Sequence, residues 1–317
     1  MSRWPLALLL LGLAWLAPAA PAAQDGRLQP GEYAWTPALA PEGPVLVVVS
    51  LPDQHATVYR NGVRIGASTV STGRPGHDTP VGVYTILQKR REHYSNLYDD
   101  APMPFMQRLT WDGIALHAGH LPGYPASHGC IRLPVKFAEL LFGATSMQTT
   151  VVVSDAVAPL PSIVAGPFAG AGALPLSDRD QQLHYAWKPE RAPDGPMTVL
   201  LGTRDRLLLV LRDGVEIGRA RVSIAEDVPP GTYAYALHES APATNGSAQE
   251  RRALSWSAIT VAGGQDLHPD LRALISEGRL VVPPAFARAV YDALVAGTTL
   301  VVTDESLNTN AGDLPPD

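Results

Sequence analysis

Ala56-Thr57-Val58-Tyr59-Arg60-Asn61-Gly62-Val63-Arg64-Ile65-Gly66 reads as two β-strands folded back on a two-residue turn. Val, Thr, Tyr and Ile suit a pleated surface, and Asn61-Gly62 supplies the positive φ angles that a type I′ turn needs at both central positions. Just upstream, Val45-Leu46-Val47-Val48-Val49 is an unbroken apolar run, the pattern of a strand buried on both faces. Downstream, Val83-Tyr84-Thr85-Ile86-Leu87 predicts another strand, and Leu109-Thr110-Trp111 with Ile114-Ala115-Leu116-His117 a strand pair. Residues 90–107 read as a long irregular loop carrying Tyr94, Tyr98, Met103, Phe105 and Met106, of the kind that forms lids or binding loops. Val135 to Phe142 predicts a short helix ended by Gly143, and Thr149 to Val153 a closing strand. The fold class expected is mainly β.

The hairpin has an echo. Asn61-Gly62-Val63 recurs 152 positions later as Asp213-Gly214-Val215, as do Ile65-Gly66 at Ile217-Gly218 and Tyr33-Ala34-Trp35-x-Pro37 at Tyr185-Ala186-Trp187-x-Pro189. Gly82-x-Tyr84 then aligns with Gly231-x-Tyr233, Leu109-Thr110-Trp111 with Leu254-Ser255-Trp256, and Thr149-Thr150-Val151-Val152-Val153 with Thr298-Thr299-Leu300-Val301-Val302. Six matches in one order predict a domain duplicated in tandem. The expected boundaries are a first domain at 33–155, a linker rich in Ala, Pro and Gly at 156–180, a second domain at 181–305 and a flexible tail at 306–317.

The 317 residues are 46% hydrophobic, enough for two globular cores, and a formal net charge of −6 offers no basic footprint for nucleic acid. Residues 1–23 carry Arg3, an apolar core from Trp4 to Leu16 and small residues with prolines to Ala23, the three parts of a secretory signal. Pro18, Pro21 and the short apolar run favour cleavage over a retained anchor. No later run reaches membrane-spanning length, so an exported protein of the periplasm or cell envelope is expected, with no membrane span after cleavage.

Export gives the single cysteine its meaning. A lone thiol in an oxidising compartment is either an inert buried hydrophobe or a reactive group. Cys130 stands in Ser127-His128-Gly129-Cys130, poor neighbours for a core, and His117 ends an apolar strand just upstream. A thiol attacks a carbonyl as thiolate, so it needs a base, and His117 at a strand end is the candidate general base and acid for a Cys130 nucleophile. The backbone N–H groups of Gly129 and Cys130, at the start of a helix expected just after the thiol, are the candidate oxyanion donors. Ser127 and His128 support that loop, although His128 is also an alternative base. His117, His120, His128 and Cys130 contain zinc-type donors, but their spacing fits no standard zinc pattern. Arg74 and His77 lie in a turn that either flanks the cleft or is solvated.

At these residues the chain resembles the YkuD-type L,D-transpeptidase family, whose signature is a histidine, a short spacer, then Ser/Thr-His-Gly-Cys. The resemblance extends through Ser71-Thr72-Gly73-x-Pro75-Gly76 and Thr79-Pro80-x-Gly82-x-Tyr84 and covers roughly Val45 to Asp155. The spacer after His117 is short for the family, and Arg132 stands where many members carry asparagine. The resemblance implies an L,D-transpeptidase-like mixed β-sandwich with a short helix after the catalytic cysteine. It implies a cysteine acyltransferase that attacks the carbonyl of the L-centre of a diamino acid in a peptidoglycan stem tetrapeptide, releases D-alanine and passes the thioester to an amine. Water as acceptor would make it an L,D-carboxypeptidase. No metal or organic cofactor is implied, and acylation of Cys130 by carbapenems is. Arg132, Tyr124, Met103 and Phe105 are the expected substrate contacts. In the second copy Arg279 takes the place of Cys130 and Ala262 that of His117, so that copy is expected to be silent, serving to bind the wall polymer, to regulate or as a structural partner. A wall-binding or structural protein with a vestigial site is the rival reading for the whole chain.

Overall fold

A computed structural model describes residues 28–95, 100–147, 149–157, 161–165, 184–225, 228–238, 254–263 and 268–307. The expected signal at 1–23, most of the expected linker and residues 308–317 of the expected tail lie outside the described residues.

The first unit is a mixed β-sandwich. Its strands are β1 (Tyr33–Trp35), β2 (Val45–Ser50), β3 (His55–Arg60), β4 (Val63–Thr69), β5 (Gly82–Thr85), β6 (Gln88–Arg90), β7 (Met106–Arg108), β8 (Ala115–Ala118), β9 (Ile131–Leu133) and β10 (Thr150–Ser154), with helix α1 (Val135–Ala144) between β9 and β10. One sheet has the order β1-β4-β3-β2-β10-β5 and the other β6-β7-β8-β9. The pairs β2–β10 and β8–β9 are parallel. Val47, Val49, Val58 and Val151 of the first sheet meet Leu116, Ile131 and Leu133 of the second and Phe137 and Leu141 of α1 in one buried core.

The hairpin forms as read: Asn61 and Gly62 have φ of 47° and 79°. The strand pair expected at 109–111 and 114–117 is displaced, because residues 110–113 form a turn and the strand before it is β7. Thr110, Asp112 and Gly113 carry turn chemistry, with Gly113 N–H donating to the Thr110 carbonyl at 3.3 Å. Among the described residues the expected irregular loop is a hairpin extension instead. Phe105 N–H donates to Arg91 O, Met103 N–H to His93 O and Ser95 N–H to Ala101 O, each at 2.8–2.9 Å.

The second unit contains β11 (Ser162–Ala165), β12 (Tyr185–Trp187), β13 (Met197–Gly202), β14 (Leu207–Arg212), β15 (Val215–Arg221), β16 (Ser223–Ile224), β17 (Thr232–Leu237), β18 (Ser255–Ala262), α2 (Leu271–Ser276), β19 (Leu280–Val281), α3 (Pro284–Ala293) and β20 (Thr299–Thr303). Strand β11 lies within the expected linker, where it pairs with β18 at the edge of an eight-stranded sheet. Several details recur between the units. Asp213 and Gly214 have φ of 50° and 76°, and both hairpins shift register at the same point, between Val58 and Tyr59 and between Val210 and Leu211. Trp35 meets Phe137 edge-on at 5.7 Å and 87°, and Trp187 meets Phe286 at 5.7 Å and 86°. Leu46 pairs in parallel with Thr150, and Thr198 with Thr299.

The units share a face. Leu46, Val48, Tyr59 and Val152, on the side of the first sheet away from its own core, pack on Ala234, Ala236, Ile259 and Val261 of β17 and β18. Ser154 Oγ donates to the Thr260 carbonyl at 2.9 Å, and the hydroxyls of Thr150 and Thr299 lie 3.0 Å apart. This is why β2 reads as a continuous apolar run: both of its faces are covered.

Candidate active site

Three adjacent strands build the site, and their register fixes which side chains share a face. Gln107 pairs with Leu116 and Arg108 with Ala115 across β7–β8, while Leu116 pairs with Ile131 and His117 with Arg132 across β8–β9. Side chains alternate along a strand, so Leu116, Ile131 and Leu133 point into the core and the intervening residues point the other way. That other face carries two rows, Arg108–Ala115–Cys130 and Met106–His117–Arg132. All six residues line one cavity of about 460 Å³. His117 and Cys130 are diagonal neighbours on adjacent strands, a spacing that long side chains bridge.

The loop carrying the thiol is clamped by residues 71–79. Ser71 and Arg132 exchange backbone bonds, Ser127 N–H donates to Thr72 O at 3.0 Å, and Arg74 N–H donates to Ser127 O at 3.1 Å. Thr79 Oγ1 donates to the Gly129 carbonyl at 2.7 Å and accepts from Gly73 N–H at 2.9 Å. Gly73 has no room for a side chain: a Cβ there would lie against the His77 carbonyl and 2.7 Å from Thr79 N. Gly73→Ala is therefore expected to cost about 1–3 kcal/mol as the loop backs away. Urea unfolding of the variant checks this, and an unchanged midpoint would show that the clamp has slack.

His117 is 7% exposed and its Nδ1 lies 2.8 Å from the Ala118 carbonyl. A carbonyl only accepts, so Nδ1 carries the proton and the lone pair belongs to Nε2. Burial holds the imidazole pKa down at about 4, with Arg132 acting the same way and the Ala118 carbonyl opposing it. Burial also pushes the Cys130 thiol up, against the Ala115 backbone, Arg132 and Arg108. At neutral pH the site thus holds a neutral thiol and a neutral imidazole, with the thiol hydrogen-bonded to the Gly113 carbonyl at 3.4 Å.

The same burial predicts a pH dependence of stability. The native imidazole binds its proton less well than the unfolded one, whose ordinary pKa is 6.5, so the contribution is complete above that value and is lost as pH falls toward 4. The full span corresponds to about 3 kcal/mol. His93 and His238, lowered chiefly by burial, act with the same sign. Urea midpoints between pH 7 and 4.5 are expected to fall, with a shallower fall in His117→Gln. An equal fall in that variant would refute the assignment to His117.

The remaining expected residues separate. His128 lines the cavity, and its Nδ1 faces Arg74 Nη1 at 3.5 Å, which can only donate, while its ring meets His77 edge-on at 4.7 Å. Ser127 Oγ donates to the Cys130 carbonyl and accepts from Gly129 N–H at 3.0 Å. The expectation for Gly129 is thereby corrected, since its amide is spent inside the loop and only that of Cys130 stands as the oxyanion candidate. The helix expected at Val135 to Phe142 forms as α1, but β9 and Pro134 stand between it and the thiol, so the expectation that its N-terminus presents the Gly129 and Cys130 amides is corrected. Arg132 and Met103 line the cavity. Tyr124 and Phe105 are not among its lining residues: Tyr124 is 61% exposed, and Phe105 packs on Phe142 of α1 at 6.0 Å. His93 and Arg108 also line the cavity and were not singled out from sequence, because the extension that holds His93 was read as irregular and β7, which holds Arg108, was not expected as a strand. Among the described residues, no three His, Cys, Asp or Glu side chains gather as metal ligands, so the zinc-type donors are not assembled into a site.

The second unit diverges here. Arg279 precedes β19 as Cys130 precedes β9, and its carbonyl accepts from Ala225 N–H at 2.8 Å. Strand β18 runs unbroken where the first unit turns between β7 and β8, so among the described residues the separate strand that carries His117 has no counterpart, and Ala262 pairs with Thr232 of β17. The expected equivalence of Ala262 and His117 is corrected accordingly.

Residues 44–153 match the sequence model of the YkuD family, the L,D-transpeptidase catalytic domain. A curated relative, the probable L,D-transpeptidase 3 of Mycobacterium tuberculosis, is 31% identical over 121 residues, which cover 33% of this chain and 44% of the relative. The chain thus spans less than half the length of that relative. Among solved structures, an L,D-transpeptidase from M. tuberculosis H37Rv is 29% identical, with 35% of this chain and 58% of the other covered at a TM-score of 0.34. The structure of M. tuberculosis L,D-transpeptidase 3 in complex with a faropenem-derived adduct is also 29% identical, covering 35% and 60% at 0.33. Among the described residues no helix is long and apolar enough to cross a membrane.

Proposed function

We propose that residues 44–153, which match the L,D-transpeptidase catalytic domain model, act as such a domain and that the protein cross-links peptidoglycan in the cell envelope, after export, by acyl transfer through Cys130. The observation that carries this reading is the shared cavity face of Cys130 and His117, with His117 Nδ1 bound to a carbonyl and Nε2 left as the base. On binding a stem tetrapeptide, the thiol turns from the Gly113 carbonyl and gives its proton to His117 Nε2 as Sγ attacks the carbonyl of the L-centre. The Cys130 amide takes the developing oxyanion, and His128 and Ser127 hold the loop in register. His117 returns the proton to the departing amine of D-alanine, whose carboxylate sits at Arg132. The thioester then meets an acceptor amine, with His117 again as base. No cofactor takes part.

The second unit is, in this reading, a duplicate of the first without its thiol and base, and its role is to cover the outer face of the first sheet. The recurring turn, register shift and Trp–Phe contact support the duplication, and the shared apolar face supports the role.

A carbapenem, whose strained carbonyl acylates a nucleophilic thiol, tests the reading directly. The intact protein is expected to gain the mass of one carbapenem, and peptide mapping to place it on Cys130. No mass gain, or a gain elsewhere, would overturn the proposal.

A further inference from the structure

The cavity is one-sided in charge. Arg108, Arg132, His93 and His120 line it, and among the described residues no Asp or Glu does. Among the described residues neither guanidinium pairs with a carboxylate. Arg108 is aimed rather than loose. Its Nε donates to Gln88 Oε1 at 3.2 Å on the neighbouring strand, and its guanidinium lies 6.0 Å from the Trp111 ring, which leaves the terminal nitrogens for another partner. The stem of Arg132 lies across Gly119, where a Cβ would come within 2.9 Å of its Cγ.

Register places these two cations in different directions from the thiol, Arg108 across the strands and Arg132 along the strand. In the row Arg108–Ala115–Cys130, Arg108 stands two strands from the nucleophile, about 10 Å at the Cα atoms, with only a methyl group between them. Arg132 stands two residues along the same strand as Cys130, across from His117. A carbonyl seated at Cys130 therefore has two guanidiniums in separate directions, so that a carboxylate on its leaving group and one on the donor's side chain can meet different cations. Unpaired guanidiniums in a concave cavity concentrate positive potential, and their planar forks match a carboxylate with two parallel hydrogen bonds.

Resting on the transfer reading above, we propose that Arg108 is a specificity-determining residue that selects donor stems whose diamino acid bears a free carboxylate on its side chain. A diamino acid without that group, or with it converted to a carboxamide, leaves Arg108 without a partner of opposite charge.

Two tetrapeptide donors that differ only in that group, free carboxylate or carboxamide, supply the test, with D-alanine release as the readout. The wild-type protein is expected to favour the carboxylate donor by about tenfold or more in kcat/KM, and Arg108→Gln to bring that ratio close to one. The wild-type comparison needs no variant, so it decides the question even if Arg108→Gln folds poorly. Equal use of both donors by the wild type, or an undiminished preference in a folded Arg108→Gln, overturns this assignment alone. Release from neither donor overturns the transfer reading along with it.

Discussion

The Cys130→Ala protein is expected to melt close to the wild type and to release D-alanine from a tetrapeptide donor at least ~10⁴-fold more slowly, with no carbapenem adduct. The chemical step needs a covalent acceptor at this position, and Cys130 is the chain's single cysteine. Water is the remaining nucleophile, and among the described residues the cavity is lined by no carboxylate to activate it. The loop should survive, because the bonds that hold it come from Ser127, Thr79, Thr72 and the backbone, none of which uses the sulfur. The thiol's own bond to Gly113 is a weak one, so its loss costs little. Undiminished release by Cys130→Ala would sink the mechanism, and a collapsed melting point would assign the thiol a structural role instead.

His117→Gln is expected to lower acylation by roughly 10²–10⁴-fold at neutral pH while leaving the thiol in place. Burial keeps the resting thiol protonated and the imidazole neutral, so no ion pair stands ready and the proton must move as Sγ attacks. Without Nε2 the proton must go to solvent, and the rate should climb as pH approaches the raised thiol pKa, where hydroxide does the work of the base. A carbapenem acylation profile from pH 6 to 10 reads both effects. The wild type should gain comparatively little over that range, and His117→Gln should gain steadily. Parallel profiles would mean that His117 orients the loop and that another group takes the proton. His128 is then the one to change next, although Arg74 facing its Nδ1 argues against it. Combining His117→Gln with Cys130→Ala should lose nothing beyond the cysteine change, since the base acts only through the thiol.

Much of the fold is legible along the chain because the signals are local. Asn61-Gly62 and Asp213-Gly214 announce their turns through φ preference alone, and the strands beside them follow from their alternation. The pairing of residues 91–95 with 101–105 was not legible, because its order comes from backbone bonds such as Phe105 to Arg91 that no side-chain pattern encodes. Strand β18 hid for a related reason. Trp256 and Trp111 align in sequence, yet Trp256 is fully buried in a continuous strand and Trp111 is 73% exposed at a turn, so similar words sit in different structures.

The sequence by itself determined the chemistry available: one thiol, the histidines within its reach along the chain, and a glycine-bearing loop to present them. Those are properties of residue types and short spacings. Only the tertiary structure decided how that chemistry is arranged, because register across three strands is a long-range property. It set Arg108 across the strands and Arg132 along the strand from Cys130, turned Phe105 and Tyr124 away from the cavity, spent the Gly129 amide inside its own loop, and laid a second unit over the outer face of the first sheet.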